Sequence, residues 1–115
     1  RDFNDSIARL KFVAELMREH GIRVWCNSIA PLRAPDAWDR FQYQEKIVVL
    51  NEVCRELFER EFAGFFDLHA LLRDSSGQLA AEYAQPDGTH WTFVAYQAAS
   101  KLLREKLLPE GKGKQ

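Results

Sequence analysis

The run Ile22-Arg23-Val24-Trp25-Cys26-Asn27-Ser28-Ile29 is bounded by Gly21 before it and Pro31 after it, and an amphipathic segment of helical period lies on each side. β-Branched and aromatic residues held between two breakers predict a strand over 22–29. Upstream, residues 6–20 place Ile7, Leu10, Val13, Ala14 and Met17 on one stripe, with Lys11, Glu15 and Arg18 outside it. That is the pattern of a helix lying on a core. Asn4, Asp5 or Ser6 can cap its start, and Gly21 follows its end. Helix, glycine and buried strand make half of a βαβ unit, so the chain is already constrained toward a parallel sheet.

The remainder repeats the alternation. Residues 30–40 carry Pro31, Pro35 and Asp36 and predict a loop leaving the carboxyl end of the strand. A longer helix is expected over 41–61, with Tyr43, Ile47, Leu50, Cys54, Leu57 and Phe58 inward and Glu45, Glu52, Arg55, Glu56 and Glu59 outward. The apolar run 62–68 fits a second strand, and Asp74-Ser75-Ser76-Gly77 marks a tight turn after the brief stretch 70–72. This order implies parallel pairing through right-handed crossovers. After a polar segment, 78–85, a last helix is expected over 92–108 with Ala95, Ala98, Ala99, Leu102 and Leu103 inward. Residues 1–108 thus belong to one domain, and 109–115, with two glycines and two lysines, are expected to be a mobile polar tail.

Charge narrows the partners. Sixteen basic residues against seventeen acidic ones leave no footprint for general binding to nucleic acid or anionic membranes. A small or neutral partner is expected. Cys26 and Cys54 fall inside apolar runs without metal spacing and predict two buried thiols. No run is long enough to be a transmembrane segment. The chain opens on Arg1-Asp2-Phe3, with neither Met nor a signal-peptide pattern, so it reads as part of a longer precursor and leaves localisation open.

The one stretch that reads as chemistry is Pro86-Asp87-Gly88-Thr89-His90-Trp91-Thr92, just before the last helix. Asp-Gly is a turn dipeptide and an aspartate near a helix start is favourable in itself. The same spacing sets a carboxylate beside an imidazole, the pairing that orients a general base. Asp87-Gly88-Thr89-His90, followed by Trp91, Thr92 and Tyr96, resembles the last conserved block of the SGNH, or GDSL, hydrolases, written loosely DGxHxTxxGY. Features in the same order agree with it: a strand then Ala30-Pro31, a helix containing Leu50-Asn51, then Phe66-Asp67-Leu68, then residues 74–77.

The resemblance implies an α/β, flavodoxin-like three-layer sandwich with a parallel sheet, of which this chain would be the C-terminal part, its first strands absent. It implies a Ser-His-Asp triad with His90 as general base and Asp87 as the residue that holds the imidazole tautomer. The implied reaction is cleavage of a carboxylic ester through an acyl-enzyme, on a lipid, an acetylated sugar or a thioester. Some relatives transfer acetyl groups to polysaccharides. No cofactor is implied.

Departures from the family pattern are specific. Neither the GDS nucleophile motif nor an intact GxND precedes the first helix, and Phe3-Asn4-Asp5 matches only the end of the latter. Ala95 stands where the family commonly has glycine. Ser28 is the serine nearest a plausible position, yet its surroundings resemble no nucleophile motif. The nucleophile is therefore expected upstream of this chain, and a scaffold that has lost catalysis is the competing reading.

The other aromatic and imidazole groups have plainer readings. Trp91, beside the base, and Trp38, in the loop after the first strand, are candidate substrate-binding residues as well as packing residues. His20 and His69 read as structural, and a metal set of Asp87, His90 and His69 has no supporting ligand motif. A two-strand sheet would expose faces and edges, which a homo-oligomer could cover.

Overall fold

The computed structural model describes residues 3–33 and 40–108. Helix α1 (Phe3–Glu19) leads into strand β1 (Trp25–Asn27), helix α2 (Arg40–Glu61) and strand β2 (Gly64–Phe66). A short helix α3 (Leu68–Leu72), a 3₁₀ turn (Ala81–Tyr83) and helix α4 (Phe93–Leu107) complete the order. Residues 34–39, which include Trp38, and the expected tail 109–115 lie outside the described residues.

β1 and β2 run parallel, with Trp25 opposite Gly64, Cys26 opposite Phe65 and Asn27 opposite Phe66. Bonds from Ala63 N–H to the Val24 carbonyl and from Ser28 N–H to the Phe66 carbonyl, both 2.9 Å, extend the ladder one step at each end. The strands are much shorter than the sequence runs 22–29 and 62–68, because β2 stops where Asp67 caps α3 and, among the described residues, β1 has no other strand to pair with. Ile22 and Ile29 are exposed as a result. Gly64, at φ 153°, lies under the Trp25 ring, and that ring stacks on Phe66 with centroids 4.8 Å apart. Trp25 is thus a packing residue.

One apolar cluster joins α1, α2 and β1. Ala14, Leu57 and Phe58 are buried in it, with Ile7, Val24, Cys26 and Phe62 packed around them. Burial of side chains such as Leu57 and Phe58 contributes about 1.5–3 kcal/mol each. Cys54 is buried as expected, whereas Cys26 is only half-buried. The closeness of the two thiols lowers Cys54 and, together with burial, raises Cys26.

The α1 stripe is only partly satisfied. Ala14 is 2% exposed, but Leu10, Val13 and Met17 are 39%, 48% and 41% exposed. A two-stranded sheet is too narrow to cover a helix face about 100° wide. Asn4, Asp5 and Ser6 lie inside the helix, which starts at Phe3, so none is its N-cap. Its C-terminus ends as its glycine predicts: Gly21 takes φ 82°, and Ile22 N–H reaches back to the Met17 carbonyl at 3.1 Å. His20 bonds the Leu16 carbonyl at 2.9 Å, the structural role expected of it.

A second cluster forms the other core. Leu72, Leu79 and Ala95 are completely buried, with Ala30, Tyr83, Ala84, Trp91 and Ala98 against them. The alanines let α4 approach closely, while its outer residues Phe93, Val94 and Tyr96 remain exposed.

Candidate active-site loop

The loop 86–92 is built by its own sequence. Gly88 N–H bonds the Gln85 carbonyl at 2.8 Å, closing a four-residue turn with Pro86 and Asp87 at its centre. Gly88, at φ 75°, supplies the left-handed step that leaves it. Gln85 braces the far side, its N–H on the His90 carbonyl at 2.9 Å and its side-chain amide on the Trp91 carbonyl at 2.8 Å. Thr92 then caps α4: its hydroxyl accepts from Ala95 N–H at 3.4 Å and donates to the Glu82 carbonyl at 2.8 Å.

This turn brings Asp87 and His90 together. One Asp87 oxygen accepts the Thr89 and His90 backbone N–H groups at 2.9 and 3.0 Å, and the other contacts His90 Nδ1. These bonds, the His90 and Thr89 amides first and then the His90 ring, hold the Asp87 carboxyl down at about 2. An ionised carboxylate can only accept, so Nδ1 carries a proton, and in the neutral tautomer this selects, Nε2 keeps its lone pair. The His90 side chain is 74% exposed and that of Asp87 51%, so the pair is open to solvent and its ion-pair energy is largely screened. The arrangement can hold one imidazole tautomer and take up a proton at Nε2.

The loop lies beside the segment leaving the carboxyl end of β1. Arg33 N–H bonds the Gly88 carbonyl at 2.7 Å. Sequence reading missed both Arg33 and Gln85; Gln-Pro-Asp-Gly was a readable turn signal for the second, and no local signal existed for the first. Trp91, half-buried, packs on the second cluster and meets the Tyr96 ring with centroids 5.0 Å apart.

Ser28 has a different employment. It is 3% exposed, and its hydroxyl accepts from His69 N–H at 2.8 Å, serving the first turn of α3 beside Asp67, which accepts from Ala70 N–H at 3.0 Å. His69 is buried as well, and desolvation with the nearby Arg73 pushes its imidazole toward the neutral form. A cavity of about 850 Å³ opens between α2 and residues 74–78, lined by Val48, Val49, His69, Arg73 and Gln78; His90 is not among its walls. Among the described residues, no group of three or more His, Cys, Asp or Glu could hold a metal ion. Nor is any of their helices long and apolar enough to cross a membrane.

Solved structures resemble this one closely. A protein from Streptococcus pneumonia assigned as a platelet activating factor matches with a TM-score of 0.74 at 28% identity, covering 90% of this chain and 50% of its own. An assigned acylhydrolase from Bacteroides fragilis gives 0.79 at 20% identity, covering 90% and 50%. A GDSL-like lipase from Bacteroides thetaiotaomicron gives 0.78 at 20% identity, covering 90% and 51%. This chain has the SGNH/GDSL hydrolase fold. No protein-family model and no curated protein matches it. The SGNH/GDSL-fold chain spans about half the length of the structures it matches.

Proposed function

We propose that this chain is the base-bearing part of an SGNH-type ester hydrolase whose complete domain is a flavodoxin-like three-layer sandwich. The observation that carries the reading is the Asp87 carboxylate on Nδ1 of an imidazole, on a loop bonded to the segment that leaves the carboxyl end of a parallel strand. Likeness to acylhydrolase and lipase structures supports the same class of chemistry.

In this mechanism His90 Nε2 takes the proton of a serine hydroxyl as the serine oxygen attacks the ester carbonyl. Asp87 stabilises the imidazolium. The proton passes to the leaving alcohol as its C–O bond breaks, and water then resolves the acyl-enzyme with His90 again as base. The serine and the oxyanion donors are assigned to a segment outside these 115 residues. Among the described serines, Ser6 lies in α1, Ser75 and Ser76 near the Asp74 turn, Ser100 on α4, and Ser28 is engaged by His69. The substrate is a small ester of a lipid, an acetylated sugar or a thioester, with Trp91 as the contact for its acyl or sugar portion.

Among the described residues no serine hydroxyl is hydrogen-bonded to His90, which favours a second reading, a non-catalytic interaction module on the same scaffold; acyl transfer to a polysaccharide is the enzymatic variant. Hydrolysis of a short-chain aryl ester by the 115-residue chain is the test. Negligible turnover is expected. Turnover abolished by His90→Ala would instead put a nucleophile within the chain, with Ser28 the first to replace.

A further inference from the structure

We propose that Arg33 is a positioning residue for the Asp87–His90 pair, acting through the Gly88–Thr89 peptide. The carbonyl of that peptide accepts Arg33 N–H at 2.7 Å, and its N–H end donates to Asp87 at 2.9 Å. A peptide unit is planar, so fixing one end fixes the direction of the other. Gly88, at φ 75°, would otherwise leave this plane the freest in the loop.

The side chain of Arg33 provides the anchor for its own backbone. Nη1 donates to the Asp74 carboxylate at 3.0 Å and to the Leu79 carbonyl at 3.1 Å, while Leu79 N–H returns a bond to the Leu32 carbonyl at 3.2 Å. Asp74 is itself immobilised by Ser76 N–H at 2.8 Å, the Ser76 hydroxyl at 2.7 Å and Gln78 N–H at 3.2 Å. Leu79 is completely buried. The chain of contacts therefore runs from a rigid turn and a core residue, through the guanidinium, to the peptide that donates to Asp87. The bond to the loop is made by the backbone N–H of Arg33 while its guanidinium is engaged by Asp74 and Leu79, so its influence on Asp87 is carried by geometry.

This assignment rests on reading the loop as base-bearing, but its test does not require catalysis. Carbon-13 titration of the Asp87 carboxyl and amide exchange at Thr89 would be measured in the wild type, Arg33→Met and Arg33→Lys. In Arg33→Met the Asp87 carboxyl is expected to rise by about one pH unit toward the ordinary aspartate value, with Thr89 exchanging about tenfold faster. Exchange at Ser28 N–H, in the β-ladder, is expected to stay as in the wild type. Arg33→Lys, which can still reach an oxygen of Asp74, should fall between the two. An unchanged Asp87 titration and Thr89 exchange in folded Arg33→Met would overturn the proposal. If Arg33→Met does not fold, Arg33→Lys decides: faster Thr89 exchange with Ser28 unchanged supports it, and no difference from the wild type rejects it. Loss of the enzymatic reading, seen as hydrolysis indifferent to His90, would leave these measurements standing.

Discussion

One oxygen of the Asp87 carboxylate engages Nδ1 of His90 while the other accepts the backbone N–H groups of Thr89 and His90 itself. The same short turn therefore fixes where the imidazole sits and which nitrogen bears its proton. Nitrogen-15 spectra of the neutral imidazole should show the proton on Nδ1. In Asp87→Asn the side-chain amide can present either its oxygen or its NH₂ group to the ring, so a mixture of tautomers is expected. A wild-type ring protonated on Nε2 would be incompatible with the base assignment.

Acid stability should follow two carboxylates. Asp74 is held at about 2, first by the Ser76 hydroxyl and then by the Ser76 and Gln78 amides and Arg33, and Asp87 is also held at about 2. Both lie below the ordinary value of 3.8. Because the folded values are depressed, their contribution is fully present above about pH 4 and is lost as pH falls through about 2. Urea midpoints are expected to fall over that window, and Asp74→Asn should flatten the fall.

Gly64→Ala should damage the sheet. A Cβ at Gly64 would come within 2.8 Å of Trp25 Cε3, and the φ of 153° strains any side-chain-bearing residue. With the indole already stacked on Phe66, the ring has little room to yield, and a loss of about 1–3 kcal/mol is expected by chemical denaturation.

Ser28→Ala separates a structural serine from a nucleophilic one. Removing the hydroxyl leaves His69 N–H unpaired in a buried setting, at an expected cost of about 1–3 kcal/mol in denaturation midpoint analysis. Its effect is expected on stability alone, with Ile29 and Asn51 still joined by their paired bonds of 2.7 and 2.9 Å.

What the sequence disclosed was mostly local. Gly21 after α1 and Asp87-Gly88 at the loop are signals whose physics lies within a few residues, and the structure places them as a helix end and a turn, while Thr92, expected as the first residue of the last helix, is its N-cap. The parallel pairing was legible because helix and strand alternate. Strand length was not, because it depends on how much partner is available, and the exposure of Leu10, Val13 and Met17 has the same origin. Cys26 was expected buried and is half-buried, since β1 has a neighbour on one side only among the described residues. Arg33 escaped notice because its partners, Asp74, Leu79 and Gly88, stand 41, 46 and 55 positions away in sequence.

The proposed hydrolysis turns on the imidazole of His90. The direct measurement is kcat/KM for a short-chain aryl ester by the product of the gene extended upstream of this chain, compared with its His90→Ala variant. A folded variant slower by about 10³-fold or more is the predicted result. A folded variant that hydrolyses the ester as fast as the wild type would contradict the assignment.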